Sequence, residues 1–82
     1  MIYAEVEIPS LRRSYDFKLD ENTKIDDLID EMCVIVCQKE KGEVLVRKND
    51  MILALVTKGI IMNNIYTLSD YNAFDGTKLM LI

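Results

Sequence analysis

Apolar residues recur at every second position from Ile2 through Ala4 and Val6 to Ile8, and again at Tyr15, Phe17 and Leu19. Between them stand Tyr3, Glu5 and Glu7, then Ser14, Asp16 and Lys18. Period two marks a strand with one dry and one wet face. Pro9 ends the first run, and a turn over Ser10 to Arg13 joins the two as an antiparallel hairpin. An isolated hairpin is marginal in water, so its apolar face demands a cover from the next segment.

That cover is a helix. Ile25, Leu28, Ile29, Met32 and Val36, with Cys33 beside them, fall at helical spacing. Thr23 followed by Asp26 has the spacing of a capping box at its start. Asp26, Asp27, Asp30 and Glu31 occupy the early turns, where the helix dipole favours each carboxylate by about 0.3 to 1 kcal/mol. The acidic cluster therefore has a structural explanation and is not read as an acid/base or metal site. The helix is expected to run out between Gln38 and Lys41, with Lys39 and Lys41 near its negative end and Gly42 available for a left-handed stop.

Beyond the helix, Val44 to Lys48 reads either as a short strand turned at Asn49 and Asp50, or as part of one bent strand or loop. Met51 to Thr57 is apolar, is bounded by Lys58 and Gly59, and suits a central strand, with Gly59 to Met62 as a short edge strand. Thr67-Leu68-Ser69-Asp70 repeats the capping-box spacing, and Asn72 and Gly76 tolerate positive φ. A one-turn helix between sharp bends is implied. In the segment from Lys78 to Ile82, Leu79 and Leu81 point one way and Met80 and Ile82 the other.

Composition narrows the function classes. With 82 residues, half of them hydrophobic, and one Pro, residues 1–82 form a single α+β domain. A formal charge of −4, with Arg12-Arg13 and Arg47-Lys48 as the adjacent basic pairs, argues against a nucleic-acid partner. No apolar run reaches the ~20 residues of a membrane span, so direct membrane insertion is not expected. The opening Met1-Ile2-Tyr3-Ala4-Glu5 lacks signal-peptide character, which gives a cytoplasmic address. Cys33 and Cys37 lie one helical turn apart in a chain without His, so they read as buried, reduced thiols; no metal or cofactor is expected. Redox or metal sensing through that pair is the weaker alternative. Without His, a nucleophile–base motif or a phosphate-cradling glycine loop, the chain is not read as an enzyme.

The order strand, strand, helix, strand, one-turn helix, strand is that of the β-grasp, a mixed sheet packed on one main helix. Thr67-Leu68-Ser69-Asp70-Tyr71-Asn72 is identical to the segment before the last strand of ubiquitin, and the likeness runs without gaps from about Ala54 to Ile82. That resemblance implies a Tyr71 hydroxyl turned onto nearby backbone, Leu68 plugging the core, and left-handed Asn72 and Gly76. The chain also resembles the YukD/EsaB family of ubiquitin-like proteins that accompany WXG100 (type VII) secretion machinery. The matching positions are Tyr15-Asp16, Lys24-Ile25 through Leu28-Ile29, Val56-Thr57-Lys58-Gly59, Leu68 with Asp70-Tyr71, Asp75-Gly76 and Leu79-Met80-Leu81-Ile82. The stretch from Cys37 to Asp50 is longer than in that family.

The resemblance sets the functional expectations. Ubiquitin-type modifiers use a flexible tail finishing in Gly-Gly, whereas Leu81-Ile82 reads as bulky strand residues, so attachment through that end is not expected. A modifier or carrier with an atypical terminus is the alternative, and it predicts a covalent adduct on Ile82. The residues matching ubiquitin's apolar recognition patch are Ala54, Val56, Met80 and Ile82, all apolar. They are the candidate protein-binding patch unless the Cys37 to Asp50 segment packs over them. The implied partner is a protein, a membrane-embedded secretion component, and a homo-oligomer is also compatible with the sequence.

Overall fold

The computed structural model describes residues 1–41 and 51–82. The first strand, β1, spans Ile2–Ile8 and pairs antiparallel with β2, Arg13–Leu19. Pro9–Leu11 forms a 3-10 turn between them, and Arg12 supplies its left-handed exit at φ 53°. The helix α1 covers Ile25–Lys39. Three short strands follow among the described residues: β3 at Leu53–Leu55, β4 at Ile60–Ile61 and β5 at Thr77–Leu81. The sheet order is β2-β1-β5-β3-β4, with β1 and β5 parallel and the other pairs antiparallel. This is the β-grasp arrangement.

One face of the sheet meets α1. Ala4, Val6 and Ile8 from β1, Phe17 and Leu19 from β2, Leu53 and Leu55 from β3, and Leu79 and Leu81 from β5 are buried against Ile25, Leu28, Ile29, Met32, Cys33 and Val36 of the helix. The helical residues are those picked out by spacing. Each such aliphatic side chain contributes about 1.5 to 3 kcal/mol when fully withdrawn from water.

The start of α1 is capped differently from the Thr23–Asp26 expectation. Its N-cap position is Lys24, which makes no side-chain cap bond. Instead the Ile25 N–H donates to the Tyr66 carbonyl at 2.7 Å and the Asp26 N–H to the Asn64 carbonyl at 3.0 Å. A bridge between Lys24 and Thr67 holds the two segments together. Backbone carbonyls from a distant loop thus satisfy donors that a helix start leaves open. At the other end the left-handed residue is Lys41, at φ 55°. Gly42 and the Val44 to Asp50 alternatives lie outside the described residues.

The second capping box does form. The Thr67 N–H donates to Asp70 Oδ2 at 2.9 Å and the Asp70 N–H to Thr67 Oγ1 at 3.2 Å, opening a 3-10 turn at Ser69–Tyr71. Asn72 ends that turn at φ 57°, and Gly76 takes φ 86° just before β5. Leu68 is fully buried, and the Asn63 N–H donates to the Tyr71 hydroxyl at 2.7 Å. The Gly76 N–H donates to the Tyr3 carbonyl, and the Tyr3 N–H to Asp75 Oδ1, so the connection is stitched to β1 as well as to α1.

Expectation and structure differ again at Met51 to Thr57. The strand is confined to Leu53–Leu55, and Val56–Lys58 turns as a 3-10 helix that exits through Gly59 at φ 63°. The Lys58 ammonium donates to the Tyr71 carbonyl at 2.9 Å, which fixes this turn against the one at Ser69–Tyr71. Cys33 is buried as expected, but Cys37 is only half-buried, and no disulfide joins the two. Burial, with help from Cys37 and Asp30, raises the pKa of the Cys33 thiol and disfavours the reactive thiolate.

The far end of α1 is tied to β2 by a side-chain cluster. The Tyr15 hydroxyl donates to Glu40 Oε1, Arg13 Nε stands 3.5 Å from the same oxygen, and the Lys39 ammonium lies 5.6 Å from the Tyr15 ring centroid. The hydrogen bond to Glu40, followed by burial and the Glu40 charge, raises the Tyr15 pKa above 10.0. A raised acid pKa in the folded state means that this contribution is present in full below pH 10.0 and fades as pH climbs through the higher folded value. Replacement of Tyr15 by Phe should cost about 0.5 to 1 kcal/mol at neutral pH. Urea unfolding of both proteins at rising pH should show that gap closing above pH 10.0; a gap that stays constant would disprove the clamp.

Candidate functional site

The sheet face turned away from α1 is built in rows by strand register. Ser14 pairs with Glu7, Glu7 with Met80, Met80 with Ala54, and Ala54 with Ile61, so one row crosses all five strands. Side chains at registered positions share a face. From β2 to β4 this row reads hydroxyl, carboxylate, and then three apolar groups. The outward half over β1 and β2 carries Glu5, Glu7, Asp16 and Lys18, with the Lys18 ammonium 5.7 Å from the Tyr3 ring centroid. The half over β5, β3 and β4 is apolar apart from Lys78, which stands beside Glu5 at the border.

Ile82 and Ile52 extend the apolar half. Their backbones exchange two hydrogen bonds, Ile52 N–H to Ile82 carbonyl at 2.6 Å and Ile82 N–H to Ile52 carbonyl at 2.9 Å, which continues the β3–β5 ladder by one pair. Ile82 is 42% exposed, Ile52 40% and Ile61 62%, while Met80 and Ala54 are half-buried between them. The structure therefore brings Ala54, Met80 and Ile82 together and adds Ile52 and Ile61, which sequence reasoning did not single out. The orientation of Ile61 follows from its pairing with Ala54, and that long-range register is not written in the short run Ile60–Ile61.

Val56 stands slightly apart. It opens the 3-10 turn after β3 and is 43% exposed. With Glu5, Glu7, Lys78 and Leu79 it lines a notch of about 90 Å³ where the apolar half meets the acidic one. Glu5 is the registered partner of Lys78, whereas the registered partners of Glu7 are Ser14 and Met80. Among the described residues, no group of His, Cys, Asp and Glu is arranged to hold a metal ion, and no helix is long and apolar enough to cross a membrane.

No family model matches the chain, and no curated protein matches it in sequence. Solved structures do match in shape. The ubiquitin-like domain of an Arabidopsis thaliana protein superposes with a TM-score of 0.75 at 18% identity, over 99% of this chain and 74% of that one. The N-terminal ubiquitin-like domain of a second protein gives a TM-score of 0.74 at 17% identity, over 99% of this chain and 72% of that one. The chain has the ubiquitin-like β-grasp fold, α+β, with a mixed five-stranded sheet on one main helix.

The position of Val56 at the acidic border has a measurable consequence. A Val56→Asp replacement adds a third carboxylate beside Glu5 and Glu7 and should lower stability by roughly 0.5 to 1 kcal/mol at low salt, whereas Val56→Lys should be neutral or better. Thermal unfolding in ~1 M salt should bring the two variants together, because screening is then short-ranged. Equal stabilities at low salt would show that Val56 does not face those carboxylates.

Proposed function

We propose that this chain is a ubiquitin-like protein-binding module that acts by surface contact rather than by catalysis, and that it serves as a cytoplasmic accessory or regulatory component of a WXG100 (type VII) secretion machinery. The partner in this reading is a membrane-embedded secretion component. The binding reading is carried by one observation. Over β5, β3 and β4 the outward face, apart from Lys78, is apolar, with Ile52, Ile61 and Ile82 exposed around half-buried Ala54 and Met80, while over β1 and β2 it is polar. A contiguous apolar patch bordered by polar residues marks a contact site more often than single scattered apolar residues do.

The secretion assignment draws on the YukD/EsaB resemblance. Several positions behind that resemblance have structural jobs here: Leu68 in the core, Tyr71 under the Asn63 amide, and Gly76 at the bend into β5. The patch residues Ala54, Val56, Met80 and Ile82, joined by Ile52 and Ile61, are the surface through which the module would act.

The test is affinity capture from the native host with the wild-type chain and with Met80→Asp and Ile61→Asp variants. Both side chains lie on the outward face, so the variants should fold with midpoints close to wild type, Ile61→Asp within about 0.5 kcal/mol. A membrane-embedded secretion component should be retained by the wild type and lost from both variants. Equal retention by folded variants would remove the patch, and retention of unrelated proteins alone would remove the secretion assignment.

A further inference from the structure

The sheet edge that borders the apolar half is β4, only two residues long at Ile60–Ile61. So short an edge offers little template for an added strand. The face itself is better suited to a partner. Strands lie about 4.8 Å apart, so β5, β3 and β4 present a stripe about 10 Å wide, which matches the diameter of an α-helix. Along β5, the outward apolar residues Met80 and Ile82 add about 7 Å, a little over one helical turn. The apolar half is thus a bed for one helix, set on the opposite side of the sheet from α1.

Charge decides which helix. In the row that crosses the sheet, Glu7 stands directly beside Met80, and among the described residues it makes no ion pair. Glu5 and Glu7 line the notch together with Lys78, two carboxylates against one ammonium. At about 90 Å³ the notch has room for a cationic head group beside Glu5 and Glu7. A second copy of the chain is a poor occupant, since each copy has a formal charge of −4 and would bring its own carboxylates to the contact.

We propose that the segment seated on this face is an amphipathic helix whose apolar stripe covers Ala54, Ile61, Met80 and Ile82, and whose flank over β1 carries a Lys or Arg that enters the notch beside Glu7. This rests on the protein-binding reading above and specifies the chemistry of the partner. The apolar stripe supplies affinity, and the carboxylate sets the direction in which the helix lies, because a basic flank must point toward β1 and away from β4.

Three synthetic peptides test it with the full chain: an amphipathic helix with a basic flank, one with the same apolar stripe and an acidic flank, and a scrambled basic peptide. Amide shifts of the isotope-labelled chain report the site, and titrations report the dissociation constant. The basic-flanked helix should shift the amides of Ala54, Ile61, Met80, Ile82 and Glu7 and bind more tightly than the other two. Glu7→Gln should weaken it roughly two- to fivefold, an effect that shrinks in ~0.5 M salt. Glu7→Lys should reverse the preference toward the acidic-flanked peptide, while Met80→Asp should weaken both. Equal binding of the two flanked peptides, no reversal in Glu7→Lys, or shifts confined to other surfaces would overturn the proposal, as would concentration-dependent dimers that bury this face. Loss of binding in Met80→Asp with no response to Glu7→Lys would sink the charge claim alone and leave the contact face standing. Unchanged binding in Met80→Asp would count against the contact face itself.

Discussion

The parallel pairing of β1 with β5, running from Ala4 opposite Thr77 to Glu7 opposite Met80, is the interaction on which the other features depend. It joins segments more than seventy residues apart, so its loop-closure entropy has to be offset by contacts that form around it. The β1–β2 hairpin and α1 can organise locally, but neither places β3 or β4 until β5 is seated. Once β5 lies between β1 and β3, its alternation does two things at once. Leu79 and Leu81 close the core under α1, while Met80 lands between Glu7 and Ala54 on the outside. The candidate site is therefore a by-product of the same pairing that completes the core.

The connection from Met62 to Gly76 makes that seating accurate. It spends little of its length on regular structure, yet its backbone reaches four other parts of the chain. Carbonyls of Asn64 and Tyr66 cap α1, the Ser69 N–H donates to the Glu21 carbonyl, Tyr71 receives both the Asn63 amide and the Lys58 ammonium, and Gly76 and Asp75 hold Tyr3. A loop so bonded can fix the register of the strand that follows it. A one-residue slip of β5 would exchange Leu79 and Leu81 for Met80 and Ile82 and turn the apolar half of the sheet inside out.

What could be read from the residues follows this division between local and distant causes. The hairpin, the buried stripe of α1 and the reciprocal bonds of Thr67 and Asp70 depend on spacings of two to four residues, and all were legible. The Thr23–Asp26 capping box has an equally good spacing but is not formed, because the Asp26 N–H goes to the carbonyl of Asn64, some forty residues away in sequence, and the Thr23 N–H to the Asp20 carbonyl. The early end of β3 was hidden for a similar reason. Val56 and Thr57 favour strand by composition, yet Lys58 is pulled onto the Tyr71 carbonyl and the chain turns. Alternation sets Met80 and Ile82 on the outward side, and the resemblance to ubiquitin's recognition patch adds Ala54. Ile52 and Ile61 joined them only through ladder partners that no local pattern displays.

The two halves of the outward face also show why exposure of apolar groups here is not forced by the fold. Backbone geometry is the same on both sides of the β1–β5 pair, and over β1 and β2 it carries Glu5, Glu7, Asp16 and Lys18 without difficulty. Polar residues at 52, 54, 61, 80 and 82 would satisfy the same ladder and would keep the surface wet, since only Leu53, Leu55, Leu79 and Leu81 are needed beneath. Exposed isoleucines carry a cost in solubility and invite self-association through the face. The acidic border moderates both, because it repels a second copy of a chain with net charge −4 while it remains attractive to a partner of opposite charge. An apolar surface for affinity and a like-charge barrier against itself are complementary devices, and the row from Ser14 to Ile61 places them side by side on one sheet.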